Sequence, residues 1–225
     1  MVKYIIKYTK TKNLKYISHL DALRVMQRAI QRIGFPIGYS EGYNPHMKMS
    51  FGFPISLGIE SVGEYFEIEL TEDLDALEVG TILGDNLPLD MRVVDCVKDE
   101  GKESLMARTA YFDYDLLLEG LTSDYDEVVK LVDRIMKDGI DYLKIRGKKK
   151  KPKECNTKDY IEKIEALGHS EDCCLLSLRL RQTEHGSIKI SEILDIFKEN
   201  GIAFKYFNAT KTETLDKDKK PLISR

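Results

Sequence analysis

The order of the periodic segments constrains the fold of this 225-residue chain more than any other feature. Residues 2–9 alternate between apolar and polar side chains, which predicts a strand with one buried face. Residues 18–33 carry apolar side chains at spacings of three and four, which predicts a helix that ends at Gly34. Strand patterns near 48–56 and over 65–70 come next.

A helical pattern over 73–86 and a strand pattern over 91–97 complete the first half of the chain. The resulting order, βαββαβ, is that of a ferredoxin-like unit. The same order of elements recurs in the second half, although no repeat is visible residue by residue. We therefore predict an α+β protein of two ferredoxin-like units with antiparallel sheets, forming domains 1–98 and 109–225.

Three segments have weaker patterns. Residues 98–108 are charged and predict a linker, whereas residues 157–167 fit a helix or a strand equally well. Residues 202–208 predict a strand, and we expect the polar, lysine-rich tail from Thr210 to be loosely held.

The composition, with 42% hydrophobic and 32% charged residues, is that of a globular protein. No apolar run approaches the roughly 20 residues that a membrane helix needs, and the N-terminus lacks the pattern of a signal peptide, so we expect a cytoplasmic protein without a membrane partner. The four cysteines, at positions 96, 155, 173 and 174, form no C-x-x-C pair. Their spacing predicts reduced thiols, and we predict no metal and no cofactor.

Charge is strongly segregated along the chain. Residues 1–48 hold nine Lys/Arg and two acids, a balance of +7, and residues 60–100 hold two Lys/Arg and thirteen acids, a balance of −11. Residues 144–153 hold seven Lys/Arg and no acid. Such asymmetry bears on partners rather than on fold.

Two basic features are candidates for binding RNA through its phosphates. The first is a row at helical spacing, Arg24, Arg28 and Arg32, which we expect to lack acidic partners. The second is the run Lys148, Lys149, Lys150 and Lys151. The plainer interpretation of both is ordinary solvated surface.

The loop of residues 39–54 is the leading candidate for a functional site, because it gathers charged, aromatic and turn-forming residues. Its candidate binding residues are Tyr39, Ser40, Glu41, Tyr43, Asn44, His46 and Lys48. We expect them to face Ser18, His19 and Asp21 at the start of the first helix. The tyrosines would stack on unpaired bases.

An alternative is an enzyme in which His19, Glu41 and His46 form an acid–base or metal site. No H-x-x-x-H or H-E-x-x-H spacing supports a metal. The plainer interpretation of the same residues is helix capping and hydrogen bonds that fix the loop. A third possibility is a protein–protein adaptor whose acidic segment 60–100 docks a basic partner.

Two separated blocks of the N-terminal half resemble the radical SAM-linked protein family, a domain of unknown function found beside or fused to radical SAM enzymes. The blocks are Leu14-Lys15-Tyr16-Ile17-Ser18-His19-Leu20-Asp21, followed by Arg24, Arg28 and Ala29, and the run from Tyr39 to Phe51, followed by Pro54, residues 57–61, Glu64, Tyr65 and Glu67. The resemblance implies an accessory protein that presents a substrate, such as RNA or a ribosomal component, to a radical SAM enzyme encoded nearby. This chain lacks the cysteine cluster of such an enzyme, so the resemblance implies the partner and not the catalyst.

Overall fold

The computed structural model describes residues 1–144 and 152–223. The chain divides into two compact units: the first combines Met1–Thr109 with the residues from Glu213 onward, and the second is Ala110–Thr212. The predicted α+β class is confirmed, with antiparallel strand pairs in both units. The division into two ferredoxin-like units remains a prediction.

The first unit has the predicted βαββαβ order with one short helix after it. Its elements are β1 (Val2–Lys10), α1 (His19–Ile33), β2 (Met49–Phe51), β3 (Glu60–Leu70), α2 (Ala76–Asp85), β4 (Val93–Asp99) and α3 (Leu105–Arg108). Strand β1 pairs antiparallel with both β3 and β4, and β2 pairs antiparallel with the other edge of β3. The spatial order of the four strands is therefore β4-β1-β3-β2.

Helix α1 begins and ends where local signals place it. Ser18 is its N-cap and accepts a hydrogen bond from the backbone N–H of Asp21, and Gly34 ends the helix in the left-handed region at φ 77°. Its buried face includes Met26 and Ile30, which pack in the core of the sheet. Leu20, which the apolar spacing of residues 18–33 also assigns to that face, is instead 61% exposed.

The opposite face of the first unit's sheet is also covered. Leu105 of α3 is fully buried and packs with Ile5, Tyr65, Leu222 and Ile223. The prediction of a loosely held tail is therefore wrong, and the predicted linker over 98–108 contains a helix that contributes to the core. Both segments are mostly polar, and a few apolar residues anchor them.

The second unit continues the chain from Ala110. Its elements are β5 (Tyr111–Glu119), α4 (Tyr125–Lys137), β6 (Asp141–Lys144), β7 (Lys153–Asn156), α5 (Thr157–Tyr160), β8 (Ile161–Ser170), β9 (Cys173–Arg181), α6 (Ile190–Glu199) and β10 (Tyr206–Leu215), whose last residues lie in the first unit. Strand β9 pairs antiparallel with β5 and β8, and β10 lies on the other edge of β5. The short strands β6 and β7 form a separate hairpin.

Several predicted bounds change. The ambiguous segment 157–167 is a single helical turn followed by a strand, and the last strand begins at Tyr206 rather than at Ile202. The predicted strand near 48–56 is reduced to three residues. The predicted domain 109–225 differs from the second unit because residues from Glu213 onward group with the first. Within the described residues, no helix is both long and apolar enough to span a membrane.

Candidate binding surface at the first helix

The start of α1 is a capped helix end. Ser18 Oγ donates a hydrogen bond to Asp21 Oδ2 over 2.7 Å, and Arg24 Nη1 lies 2.9 Å from Asp21 Oδ1. The hydrogen bond from Ser18 and then the contact with Arg24 lower the pKa of Asp21. The expectation that the arginine row lacks acidic partners is therefore wrong for its first member.

The three arginines of the row are all exposed, but they have different surroundings. Arg32 donates to the backbone oxygen of Asn86 at the end of α2, and its Nε lies 3.5 Å from Asn86 Oδ1. Arg28 lies between the other two along the helix and makes no hydrogen bond or ion pair with the described part of the chain. Arg28 is thus the cation of the row that remains available to a ligand.

A surface depression adjoins this row. It has a volume of about 420 Å³ and lies between α1 and the end of α2. Its lining combines Arg28 and Arg32 with one carboxylate, Asp85, and with the apolar Leu87 and Pro88. An open, half-apolar depression bordered by two guanidinium groups can accept a phosphate and the group attached to it.

The loop of residues 39–48 forms a small closed turn. Tyr39 and Met47 form an isolated β-bridge, Ser40 N–H donates to the His46 oxygen over 2.8 Å, and His46 N–H donates to Ser40 Oγ over 3.0 Å. Met47 is buried, and its side chain anchors the turn in the core. The loop-fixing hydrogen bonds that sequence offered as the plainer interpretation are present.

The tip of this turn is open to solvent. Glu41, Asn44 and His46 are exposed, Tyr39 is 49% exposed and Tyr43 is fully exposed. Lys48, in contrast, forms an ion pair of 3.4 Å with Glu69 on β3. Two tyrosine rings are therefore presented to solvent on a turn whose base is fixed.

The predicted acid–base or metal set consists of His19, Glu41 and His46. The His19 ring packs edge-on against Phe51, with ring centroids 5.4 Å apart. No hydrogen bond connects His19, Glu41 and His46 to one another among the residues that the structure describes. Among all the described residues, no group of three or more His, Cys, Asp or Glu side chains could hold a metal ion. These observations give no support to an acid–base or metal site formed by His19, Glu41 and His46.

Part of the charge segregation along the chain is neutralised inside the first unit, where basic β1 lies between acidic β3 and β4. Four ion pairs join the basic segment 1–48 to the acidic segment 60–100: Lys3–Asp99 at 3.0 Å, Lys12–Asp90 at 3.6 Å, Lys15–Glu60 at 3.2 Å and Lys48–Glu69 at 3.4 Å. These acids are already engaged, which weakens the adaptor hypothesis. The lysine run Lys148–Lys151 lies outside the described residues.

Two charged residues that are buried in the first unit, Lys10 and Glu64, were not predicted from the sequence. Lys10 is 3% exposed, and Glu64, across from Tyr8 in the β1–β3 pairing, is also buried. Burial lowers the pKa of Lys10, and the negative charge of Glu64 opposes that shift. The pKa of Tyr8 is raised, mainly by burial and secondly by Glu64. The signal was present, because Tyr8 and Lys10 continue the inward-facing alternation of β1.

The four cysteines are free thiols, as predicted. Cys96, Cys155 and Cys174 are buried, and Cys173 is half-buried. Burial raises the pKa of the Cys96 thiol to about 12 and that of Cys174 to about 11, so both are protonated at neutral pH.

Comparison with known proteins places the chain in a family. Residues 3–190, most of the sequence, match the family described as "Uncharacterized protein conserved in bacteria (DUF2344)". The chain belongs to this family. Both candidate features of the first unit, the arginine row and the loop 39–48, lie within the matched region. No curated protein sequence matches the chain.

Solved structures with a similar fold include a chain of a Cbf5–Nop10–Gar1 complex, with a TM-score of 0.53 at 10% sequence identity, covering 96% of this chain and 50% of that one. Another is a chain of an H/ACA RNP bound to a substrate RNA containing 2'-deoxyuridine, with a TM-score of 0.52 at 8% identity, covering 96% and 49%. This protein spans about half the length of those chains. At such low identity the likeness concerns the fold alone.

Proposed function

We propose that this protein is a non-catalytic binding protein that holds an anionic substrate, RNA in particular, for a radical SAM enzyme in the cytoplasm. The observation that carries the binding part is the exposed Arg28, without a partner among the described residues, at the rim of the depression between α1 and α2. Guanidinium groups bind phosphate through paired N–H donors, and Arg32 is already oriented by Asn86.

Two further features favour RNA over a small anion. Tyr39 and Tyr43 present rings on the turn of residues 39–48, and single-stranded bases stack on exposed aromatic rings. One of the solved structures with a similar fold is an H/ACA RNP bound to a substrate RNA, which makes RNA the first ligand to test. We also propose that both units are ferredoxin-like, since each has four main strands in the same spatial order.

The binding part is tested by a filter-binding titration of the full chain against bulk cellular RNA at several salt concentrations. Retention that weakens steadily as salt rises is expected, because cations displaced from phosphates return at high salt. Absence of salt-dependent retention would contradict the RNA proposal.

The radical SAM part rests on the resemblance of residues 14–21 and 39–51 and has its own test. A tagged full-length chain is purified from its host, with and without nuclease treatment, and the co-purifying proteins are identified. A radical SAM enzyme that remains bound after nuclease treatment supports a direct partnership. Loss of that enzyme on nuclease treatment, or its absence from both samples, contradicts a direct protein contact.

A further inference from the structure

The second unit repeats the construction of the first. Without the β6–β7 hairpin, its strands have the spatial order β10-β5-β9-β8, in which the fourth strand lies beside the first and the third separates the first from the second. The first unit has the same arrangement, β4-β1-β3-β2. In each unit the first helix follows the first strand, and the second helix connects the third strand to the fourth.

A depression lies at the corresponding place in each unit, between the first helix and the end of the second helix. The one in the second unit has a volume of about 400 Å³ and is lined by Glu127, Lys130 and Arg134 of α4 and by Asn200 after α6. The volume in the first unit is about 420 Å³. The two depressions therefore lie at the same place in the two units and have nearly equal volumes.

The polar contacts at the two depressions also correspond. Arg32 of α1 donates to Asn86, and Arg134 of α4 donates to Asn200 Oδ1. Each asparagine follows the last residue of its helix. Each also donates its side-chain N–H to a carbonyl four residues earlier, Asn86 to Ile82 over 2.9 Å and Asn200 to Ile196 over 2.8 Å.

A second cation lies four residues before each anchored arginine. Arg28 and Lys130 are exposed, and neither forms a hydrogen bond or ion pair with any residue in the described ranges. Each depression therefore has one cation fixed by asparagine, one cation available to a ligand, and one carboxylate, Asp85 or Glu127. The carboxylate of Glu127 accepts the backbone N–H of Asp124 in a capping box and is committed to the helix end.

We infer that the depression in the second unit is a second binding site for the phosphate groups of single-stranded RNA, equivalent to the one in the first unit. This inference rests on the proposed function and extends it from one site to two. Apolar side chains, Leu131 and Ile202 here and Leu87 and Pro88 in the first unit, form the part of each depression that would contact the sugar.

The two asparagines provide one reporter for each site. The side-chain amide signals of Asn86 and Asn200, assigned by substituting each residue in turn, are followed by ¹H–¹⁵N NMR of the full chain during titration with tetrauridylate. Both signals are expected to shift to saturation. Arg28→Glu should remove the shift of Asn86 alone, and Lys130→Glu should remove that of Asn200 alone. Lys102→Glu, at an exposed residue that lines neither depression, should change neither signal.

The outcomes separate the inference from the proposed function. If only Asn86 responds, the second site does not exist, whereas RNA binding by the first unit stands. If neither signal responds although filters retain RNA, both depressions are excluded as RNA sites and the inference is overturned. If filters retain no RNA, the proposed function itself fails.

Discussion

The ammonium group of Lys10, at the end of β1, donates a hydrogen bond of 2.8 Å to the carbonyl oxygen of Ile17, directly before the N-cap of α1. Lys10 is almost fully buried with Glu64 as its neighbouring charge. This contact fixes the chain where it turns from the first strand into the helix that carries the arginine row. The position of the candidate surface thus depends on a charged group in the interior.

Replacing Lys10 by methionine should destabilise the fold by about 3 kcal/mol, because Glu64 would be left buried without its opposite charge. The free energy of unfolding is measured by urea denaturation. The double variant Lys10→Met, Glu64→Leu should recover part of the loss. If the two substitutions were simply additive, Lys10 and Glu64 would not be coupled.

Replacing Ser18 by alanine should remove the N-cap of α1 and cost about 1 kcal/mol of stability. The pKa of Asp21 should rise toward its ordinary value, since the hydrogen bond from Ser18 is the main cause of its lowering. The Asp21 carboxylate stabilises the fold above its ordinary pKa, and that stabilisation is lost as pH falls through its lowered value.

This prediction is checked by NMR titration of Asp21 and by unfolding at neutral and acidic pH. In Ser18→Ala, the difference in stability between the two pH values should be smaller than in the wild type. Ser56→Ala, at an exposed loop position, is the matched control. An unchanged Asp21 pKa in Ser18→Ala would show that Arg24 alone sets it.

The sequence predicts well what local signals determine. Ser18, Gly34 and the apolar spacing between them give the bounds of α1 within one residue, and alternation gives β1. Contacts between distant residues were not predictable from these signals. The pairing of Arg32 with Asn86 spans 54 residues, and the burial of Leu222 against Leu105 brings a polar tail into the core.

The same contrast between local signals and contacts of distant residues applies to the candidate site. The turn of residues 39–48 lies within the predicted loop, but the partners of its residues and of the arginine row were not predicted. Local spacing could not show that β1 lies between two acidic strands. The positive charge that residues 1–48 leave free on the surface was therefore overestimated. Only Arg28 of the row is left without a partner among the described residues.

Replacing Gly38 by alanine should destabilise the base of the 39–48 turn by about 1–3 kcal/mol, because the added methyl group would be overpacked. A Cβ atom there would lie 2.8 Å from Met1 Sδ and 3.2 Å from the backbone oxygen of Glu69. The sulfur can move, but the backbone oxygen belongs to β3. Thermal unfolding measures the loss.

Gly168→Ala is the control for this substitution, since nothing lies within 4 Å of a Cβ atom at Gly168. It should change stability by less than about 0.5 kcal/mol. Equal melting temperatures for Gly38→Ala and the wild type would mean that the turn can shift away from β3 without cost.

Arg28 is the available cation of the first helix, and the salt dependence of RNA binding tests its role directly. Fluorescence anisotropy with a labelled oligouridylate is measured across a salt series for the wild type, Arg28→Glu and Lys102→Glu. Arg28→Glu should bind more weakly, with a salt slope shallower by about 0.7 for the lost phosphate contact, and Lys102→Glu should match the wild type. Identical affinities and slopes for Arg28→Glu and the wild type would show that Arg28 does not bind RNA.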